Sequence, residues 1–208
     1  GALHTHTSVV DCSLTTLDPP VGSYNVPFGT RHTVTGNGYP NSLYCFTRYG
    51  DMNKPGFARG HHIGQESFGR ADSVQPGVPL SIHIDGYTAM WTQGGKTIAT
   101  LTRSATANSA DAAAIAPMLL FTLNETATTN AVQPNTVCNT KMRLHAFRMS
   151  STSNLVCDLV PVVVGGEGAL YDRVSKRIFY GKTSSGGQNA ARWSYSGTYD
   201  TKVVSGKP

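Results

Sequence analysis

The stretch from Leu159 to Gly181 constrains the fold more than any other part of this chain. It runs Leu-Val-Pro-Val-Val-Val, Gly-Gly-Glu-Gly, Ala-Leu-Tyr-Asp-Arg-Val-Ser-Lys-Arg, then Ile-Phe-Tyr-Gly. β-Branched and aromatic residues recur between glycines at spacings too short for a helix, so the run reads as strand, tight turn, short strand, turn, strand. Asp172 falls where the chain must reverse, ahead of the basic pair Lys176-Arg177. A short carboxylate at such a point accepts backbone N–H bonds, so Asp172 is expected to be structural and not an acid or a ligand.

The same punctuation recurs upstream. Strand character runs from His6 to Leu14, Asn25 to Val34 and Ser42 to Tyr49, separated by Asp18-Pro-Pro and by Gly36-Asn-Gly-Tyr-Pro-Asn41. Gly50 to Gly56 reads as a hairpin loop leading into Phe57-Ala-Arg-Gly60. In Leu80-Ser-Ile-His-Ile-Asp85 the apolar residues face one way and Ser81, His83 and Asp85 the other, the mark of a half-buried strand. Tyr87 to Thr92 and Thr97 to Thr102 flank Gln93-Gly94-Gly95-Lys96, whose glycines tolerate the positive φ of a two-residue hairpin turn. Met118 to Leu123 is apolar on both faces and predicts a central strand; Met142 to Met149 and Leu155 to Val164 predict two more. Asp111 to Ala116 has helix propensity, but Pro117 limits it to a short turn. Ten to twelve short strands without a long amphipathic helix predict two packed antiparallel sheets.

With 208 residues and no linker, a single domain is expected. Charged residues make up 14%, so Ser, Thr, Asn, Gln and Gly must cover most of the surface, as is common in extracellular β-proteins. The net charge of +5 comes from scattered basic residues, not from the stripe a nucleic-acid binder needs, so no nucleic-acid partner is expected. No run approaches the roughly 20 apolar residues of a membrane span. The first residues, Gly-Ala-Leu-His-Thr-His, lack the basic-then-apolar pattern of a secretory leader. Cys12, Cys45, Cys138 and Cys157 allow two disulfides by three pairings or four buried thiols, and they lack Cys-x-x-Cys spacing.

Tyr87 to Thr102, Pro117 to Asn124, Arg143-Leu-His-Ala-Phe-Arg148, Cys157-Asp-Leu-Val-Pro161, Gly168-Ala-Leu-Tyr-Asp-Arg-Val174 and Phe179-Tyr-Gly181 occur in that order. Together they resemble the laminin-G-like, concanavalin A-like jelly-roll domains of gut-bacterial surface proteins and phage tail-associated proteins. Phe28 to Arg31, Tyr44 to Arg48 and Pro55 to Ala58 fit the front half, so the resemblance spans about residues 8 to 182. It implies an all-β, two-sheet antiparallel jelly-roll sandwich, in a family that binds sugars or proteins or spaces enzymes. It also implies a surface or secreted location. Residues from about 182 depart from the family pattern, which predicts an enlarged last loop or a late terminal strand at Arg192 to Tyr199.

Retaining glycosidases on related folds need two carboxylates about 5 Å apart, in a strand at i and i+2 or i+4. Asp11, Asp85, Asp158 and Glu167 show no such spacing. Arg59-Gly60-His61 resembles the core of metal-dependent nucleases, but Ala58 stands where that family has its acid and the downstream asparagine is missing. Gly165-Gly-Glu-Gly168 lies between strands and cannot be a phosphate loop. His32, His83 and His145 fall in separate strands, and His61 and His62 would face opposite ways if extended, so a zinc site is not expected. Calcium has better candidates in the loop oxygens of Asp51, Asn53 and Asp72, whose competing role is in Asx turns. Aromatic platforms for a sugar come from Tyr39, Tyr49, Trp91 and Trp193, with core packing the rival reading of Trp91.

The sequence therefore predicts a non-catalytic carbohydrate-binding or adhesion module, extracellular or on a bacterial surface. Its partner would be a glycan or a surface protein. Tyr49, Asp51, Ser81, His83, Asp85 and Trp91 are its candidate ligand residues. The alternative is a structural or protein-protein module within a larger surface or tail assembly. Any ligand is expected on the concave sheet and not on the loops around His61 and His62.

Overall fold

A computed structural model describes residues 7–17, 24–32, 39–61, 67–103, 116–126, 132, 133, 135, 138, 141–151 and 154–180. Among these residues there are fourteen strands and no helix. The strands are β1 (Ser8–Thr16), β2 (Phe28–His32), β3 (Tyr39–Phe46), β4 (Gly56–His61), β5 (Ser67–Phe68), β6 (Pro79–Asp85) and β7 (Thr88–Gln93). They continue as β8 (Lys96–Thr102), β9 (Leu119–Leu120), β10 (Asn124–Thr126), β11 (Met142–Ser151), β12 (Asn154–Val164), β13 (Glu167–Asp172) and β14 (Ile178–Tyr180). The large sheet has eight strands in the order β14-β13-β12-β11-β1-β6-β7-β8. The small sheet runs β10-β2-β3-β4-β5, with β9 also paired to β2. The fold is an all-β, two-sheet sandwich. Every ladder is antiparallel except the three-residue parallel pairing of β10 with β2.

The C-terminal run folds as its glycines dictate. β12, the Gly165-Gly166 turn, β13, a turn at residues 173–177 and β14 form one antiparallel edge of the large sheet. The β7–β8 hairpin turns on Gly94 and Gly95, at φ +58° and +75°, as their freedom from a Cβ permits. β1, β3 and the β11–β12 pair lie within a residue or three of their expected limits.

The Met118 to Leu123 expectation fails. Only Leu119–Leu120 is extended, and it pairs at β2 instead of running through a sheet centre. Phe121 sits at φ +63°, which ends the strand, and its N–H donates to the Pro27 carbonyl. The apolar run is instead divided: Met118, Leu120 and Phe121 pack on the main core while Leu123 packs in a second cluster. Periodicity could not tell a segment buried on both sides by two clusters from a central strand. Residues 111–115 of the predicted helical turn, the late strand at Arg192 to Tyr199 and the extension from about 182 lie outside the described residues.

The main core fills the space between the sheets. Val10, Cys12 and Leu14 of β1, Leu80, Ile82 and Ile84 of β6, and Ala89 and Trp91 of β7 face Phe28, Leu43, Cys45 and Phe57 of the small sheet. Phe28 and Phe147 meet edge to face at 5.2 Å across the sandwich. Arg59 follows Phe57 on the same face, is 1% exposed, and donates from Nη1 to the Gly86 carbonyl and from Nη2 to that of Ser8 at 3.2 Å. It therefore ties β4 to the β6–β7 turn and to the start of β1.

The outer faces of the two sheets differ. On the small sheet the alternate residues Tyr44, Phe46 and Ala58 are also buried, under Val26 and Leu123 with Tyr24, Phe68 and Cys138 packed against them. Gly29 allows β2 to approach β3 there: a Cβ on it would collide with the Cβ of Tyr44 and lie 2.8 Å from Leu123 Cδ1. The large sheet carries no such cover among the described residues. All four cysteines are free thiols.

Candidate functional site

The open outer face of the large sheet collects polar residues because the strands send most of their apolar residues inward, with Val9, Met90 and Ala146 sharing the outer face. β6 alternates strictly, with Leu80, Ile82 and Ile84 buried while Ser81, His83 and Asp85 face outward. The register places Asp11 beside His83 and Arg148 beside Asp11, with Asp158 beyond Arg148 on β12. Ser13 lies beside Ser81, and Thr92 beside Ser81 on the other side. Five neighbouring strands thus offer hydroxyl, imidazole, carboxylate and guanidinium groups on one surface. His83 Nδ1–H donates to Asp11 Oδ1 at 2.7 Å, and both side chains remain exposed. Tyr171 of β13 takes the outward position next to inward Leu170.

One end of this face is fixed by an ionic cluster. Arg173 Nε and Nη2 donate to the two oxygens of Asp158 at 2.9 Å each, and Arg148 Nε faces Asp158 Oδ1 at 3.3 Å. Asp172 accepts the N–H groups of Asp158 and Val174 on Oδ1 (2.9 and 3.1 Å), and the N–H and hydroxyl of Ser175 on Oδ2 (3.2 and 2.6 Å). Burial alone would raise the pKa of both carboxyls. For Asp158 the bonds and charges of Arg173 and Arg148 outweigh it, and for Asp172 the Ser175 and backbone donors do, so both sit below the usual carboxylate range. Asp172 is a turn organiser, with every oxygen occupied.

Tyr49 and Asp51 lie elsewhere, in the β3–β4 connection. Tyr49 packs against Tyr24, Phe46 and Phe68 at ring distances of 4.9, 5.3 and 4.7 Å, on the covered side of the small sheet. Lys54 Nζ lies 4.4 Å from the Phe68 ring centre and 5.3 Å from that of Tyr49. Arg48 threads this loop: Nε donates to the Gly50 carbonyl, Nη1 to Asn53 Oδ1, and Nη2 lies 3.9 Å from Asp51. Asp72 Oδ1 accepts the Asn53 N–H at 3.3 Å. The three oxygens expected for calcium are therefore neighbours, but a guanidinium already stands against two of them. Among the described residues no group of three or more His, Cys, Asp or Glu gathers as a metal site.

Trp91 leaves the set of ligand candidates. It is the Cα partner of Ile82, alternates with Met90 and Thr92, and is fully buried. The alternation of Ala89 and Trp91 against Leu80, Ile82 and Ile84 is the sequence signal that places it inward. The six expected residues thus fall into three places: Ser81, His83 and Asp85 on the open face, Tyr49 and Asp51 on the far loop, and Trp91 in the core. Asp11, Ser13, Arg148 and Tyr171 join the open face unforeseen, because only register across β1, β6 and β11, and through β12 to β13 for Tyr171, brings them there. The side chains of Tyr39, His61, His62 and Trp193 lie outside the described residues.

No family model matches this chain, and no curated protein matches it. Among solved structures it is similar to the CBM40 of the Ruminococcus gnavus IT-sialidase. The form bound to alpha2,3 sialyllactose is 12% identical, covering 69% of this chain and 76% of that one at a TM-score of 0.39. The form bound to alpha2,6 sialyllactose is 14% identical, covering 69% and 77% at a TM-score of 0.41. At such distance neither a site nor a sugar transfers from that module to this chain.

Proposed function

We propose that the protein is a non-catalytic carbohydrate-binding or adhesion module whose ligand lies on the outer face of the large sheet. The observation that supports this most is the asymmetry of the sandwich: one outer face is sealed by aromatic residues, the other is open and carries polar groups on five adjacent strands, with Val9, Met90 and Ala146 among them. Sugars bind through many hydrogen bonds to rigidly held polar groups, and strands hold such groups more firmly than loops. Ser13, Ser81, His83, Asp85 and Thr92 supply them, with Tyr171 as the aromatic at the margin. Asp11 and Asp85 are exposed carboxylates on this face. A surface or secreted setting suits a polar face of this kind, and calcium is not required for it.

NMR titration with a panel of glycans tests the reading. The expected result is shifts at residues 9–13, 81–85, 90–92 and 146–150. Shifts confined to residues 48–54 or 57–61, or no shifts with any sugar at millimolar concentration, would overturn it.

A second reading has its own support. Six of the ten exposed large hydrophobic residues among those described lie on β12 to β14 or in the turn between the last two: Leu155, Val163, Val174, Ile178, Phe179 and Tyr180. Among the described residues β14 is an edge strand with all three residues exposed, and exposed apolar edges promote pairing with another chain. A module of a larger assembly would dock there. Sedimentation at increasing concentration, with Phe179→Lys as control, tests it. Self-association abolished by the substitution supports an assembly role, and a monomer at all concentrations removes its support.

A further inference from the structure

The open face holds one group that is oriented yet uncommitted. Arg148 stands on β11 near the middle of the large sheet, with Asp11 on one side and Asp158 on the other. Its Nε faces Asp158, a carboxylate that is 7% exposed and gripped from the opposite side by Arg173. Among the described residues, the two terminal NH2 groups of Arg148 meet no further partner, and the side chain is 54% exposed. An arginine anchored through Nε loses much of its rotational freedom, while the pair of N–H bonds on its terminal nitrogens stays free as a planar fork. That fork matches the two oxygens of a carboxylate or a sulfate.

Arg148 is not alone in its sign. Along β11 the outward positions also include exposed Arg143, and Arg173 lies across Asp158. Asp158 faces both Arg148 and Arg173, while Asp172 is held by backbone N–H groups and Ser175. Both carboxylates are buried and already hydrogen-bonded, so an incoming anion meets the arginines first. The one exposed carboxylate next to Arg148 is Asp11, and its Oδ1 is taken by His83.

From this arrangement we infer that the ligand is an anionic saccharide, carrying a carboxylate or sulfate that Arg148 receives through its terminal nitrogens. The hydroxyl face of the sugar then lies over Ser13, Ser81 and His83. The inference rests on the open face being the glycan site, and it adds the charge of the ligand.

The test is heteronuclear NMR titration of the whole chain with a uronate-containing oligosaccharide, a sulfated one, and a neutral one of equal length. At least one anionic sugar should bind, with Arg148 side-chain signals among the largest shifts and affinity falling as salt rises. Arg148→Gln should weaken that binding about 10- to 100-fold, and Arg148→Lys, which keeps the charge but not the fork, by a smaller factor. Asp11→Asn, which removes the adjacent like charge, should strengthen it roughly two- to fivefold. The spectra report folding of each variant, and Asp11→Asn gives a gain that a damaged fold would not produce. Equal binding of the neutral sugar, or unchanged affinity in Arg148→Gln, overturns the anionic assignment and leaves the glycan site standing. Absence of binding to all three sugars, in a folded protein, overturns both.

Discussion

Asp172 shows how much one carboxylate can organise. Four donors converge on it, three of them backbone N–H groups that would otherwise be stranded beside a 4% exposed side chain. Replacing Asp172 with Ala should lower stability by about 2–3 kcal/mol, measured by urea denaturation, since buried donors left without partners carry most of that cost. Both Asp158 and Asp172 have a folded-state pKa below the ordinary value, so the folded protein binds protons less readily than the unfolded chain. Their contribution is therefore full above about pH 4 and is lost as pH falls through the lowered folded pKa. Urea midpoints measured between pH 7 and pH 2 should decline in the acid limb, and the decline should be shallower in Asp172→Ala. Trp91 makes the opposite case, a residue whose polar atom is secondary to its bulk. Trp91→Ala should cost about 3–5 kcal/mol by the same assay, the usual loss for a large aromatic removed from a core.

At the scale of elements, turns and half-buried strands were legible in the sequence because their signals are local. Gly94-Gly95, Gly165-Gly166 and the alternation of Leu80 to Asp85 each specify a conformation within a few residues. The Met118 to Leu123 segment was not legible, since its fate depends on two clusters and on Pro27, all distant in sequence. The candidate site was legible only where it lay within one strand. Ser81, His83 and Asp85 could be found from β6 alone; Asp11 and Arg148 needed the register of three strands, which no local pattern carries. Gly29 belongs to the same class, an ordinary glycine in sequence that proves to be a contact point between strands. Gly29→Ala should destabilise the sandwich by about 1–3 kcal/mol in thermal or urea melts, because the new methyl meets Tyr44 backbone-side atoms that cannot swing away.

For the molecule as a whole, the thiols report how firmly the two layers are held together. Cys12 and Cys45 lie in the core between the sheets, and burial pushes both thiols well above their ordinary range. Cys157 and Cys138 are each raised to about 11, again chiefly by burial. Labelling with a thiol reagent at pH 7 should therefore be slow at all four and should accelerate with denaturant along the global unfolding curve. Fast labelling of Cys12 in the native protein would mean that the sheets part locally. The contrast between the sheets has a further consequence, for how such a protein can change over generations. On β6, on β1 as far as Leu14 and on β11 from Phe147 to Met149, core residues alternate with residues of the open face, so the two sets can vary independently. A substitution at position 81, 83 or 148 changes the chemistry of the open face while leaving Ile82, Ile84 and Phe147 to keep the sheets in place. The small sheet lacks that freedom, since both its faces are packed. New surface chemistry can accumulate on one side of this scaffold while the other side stays under constraint.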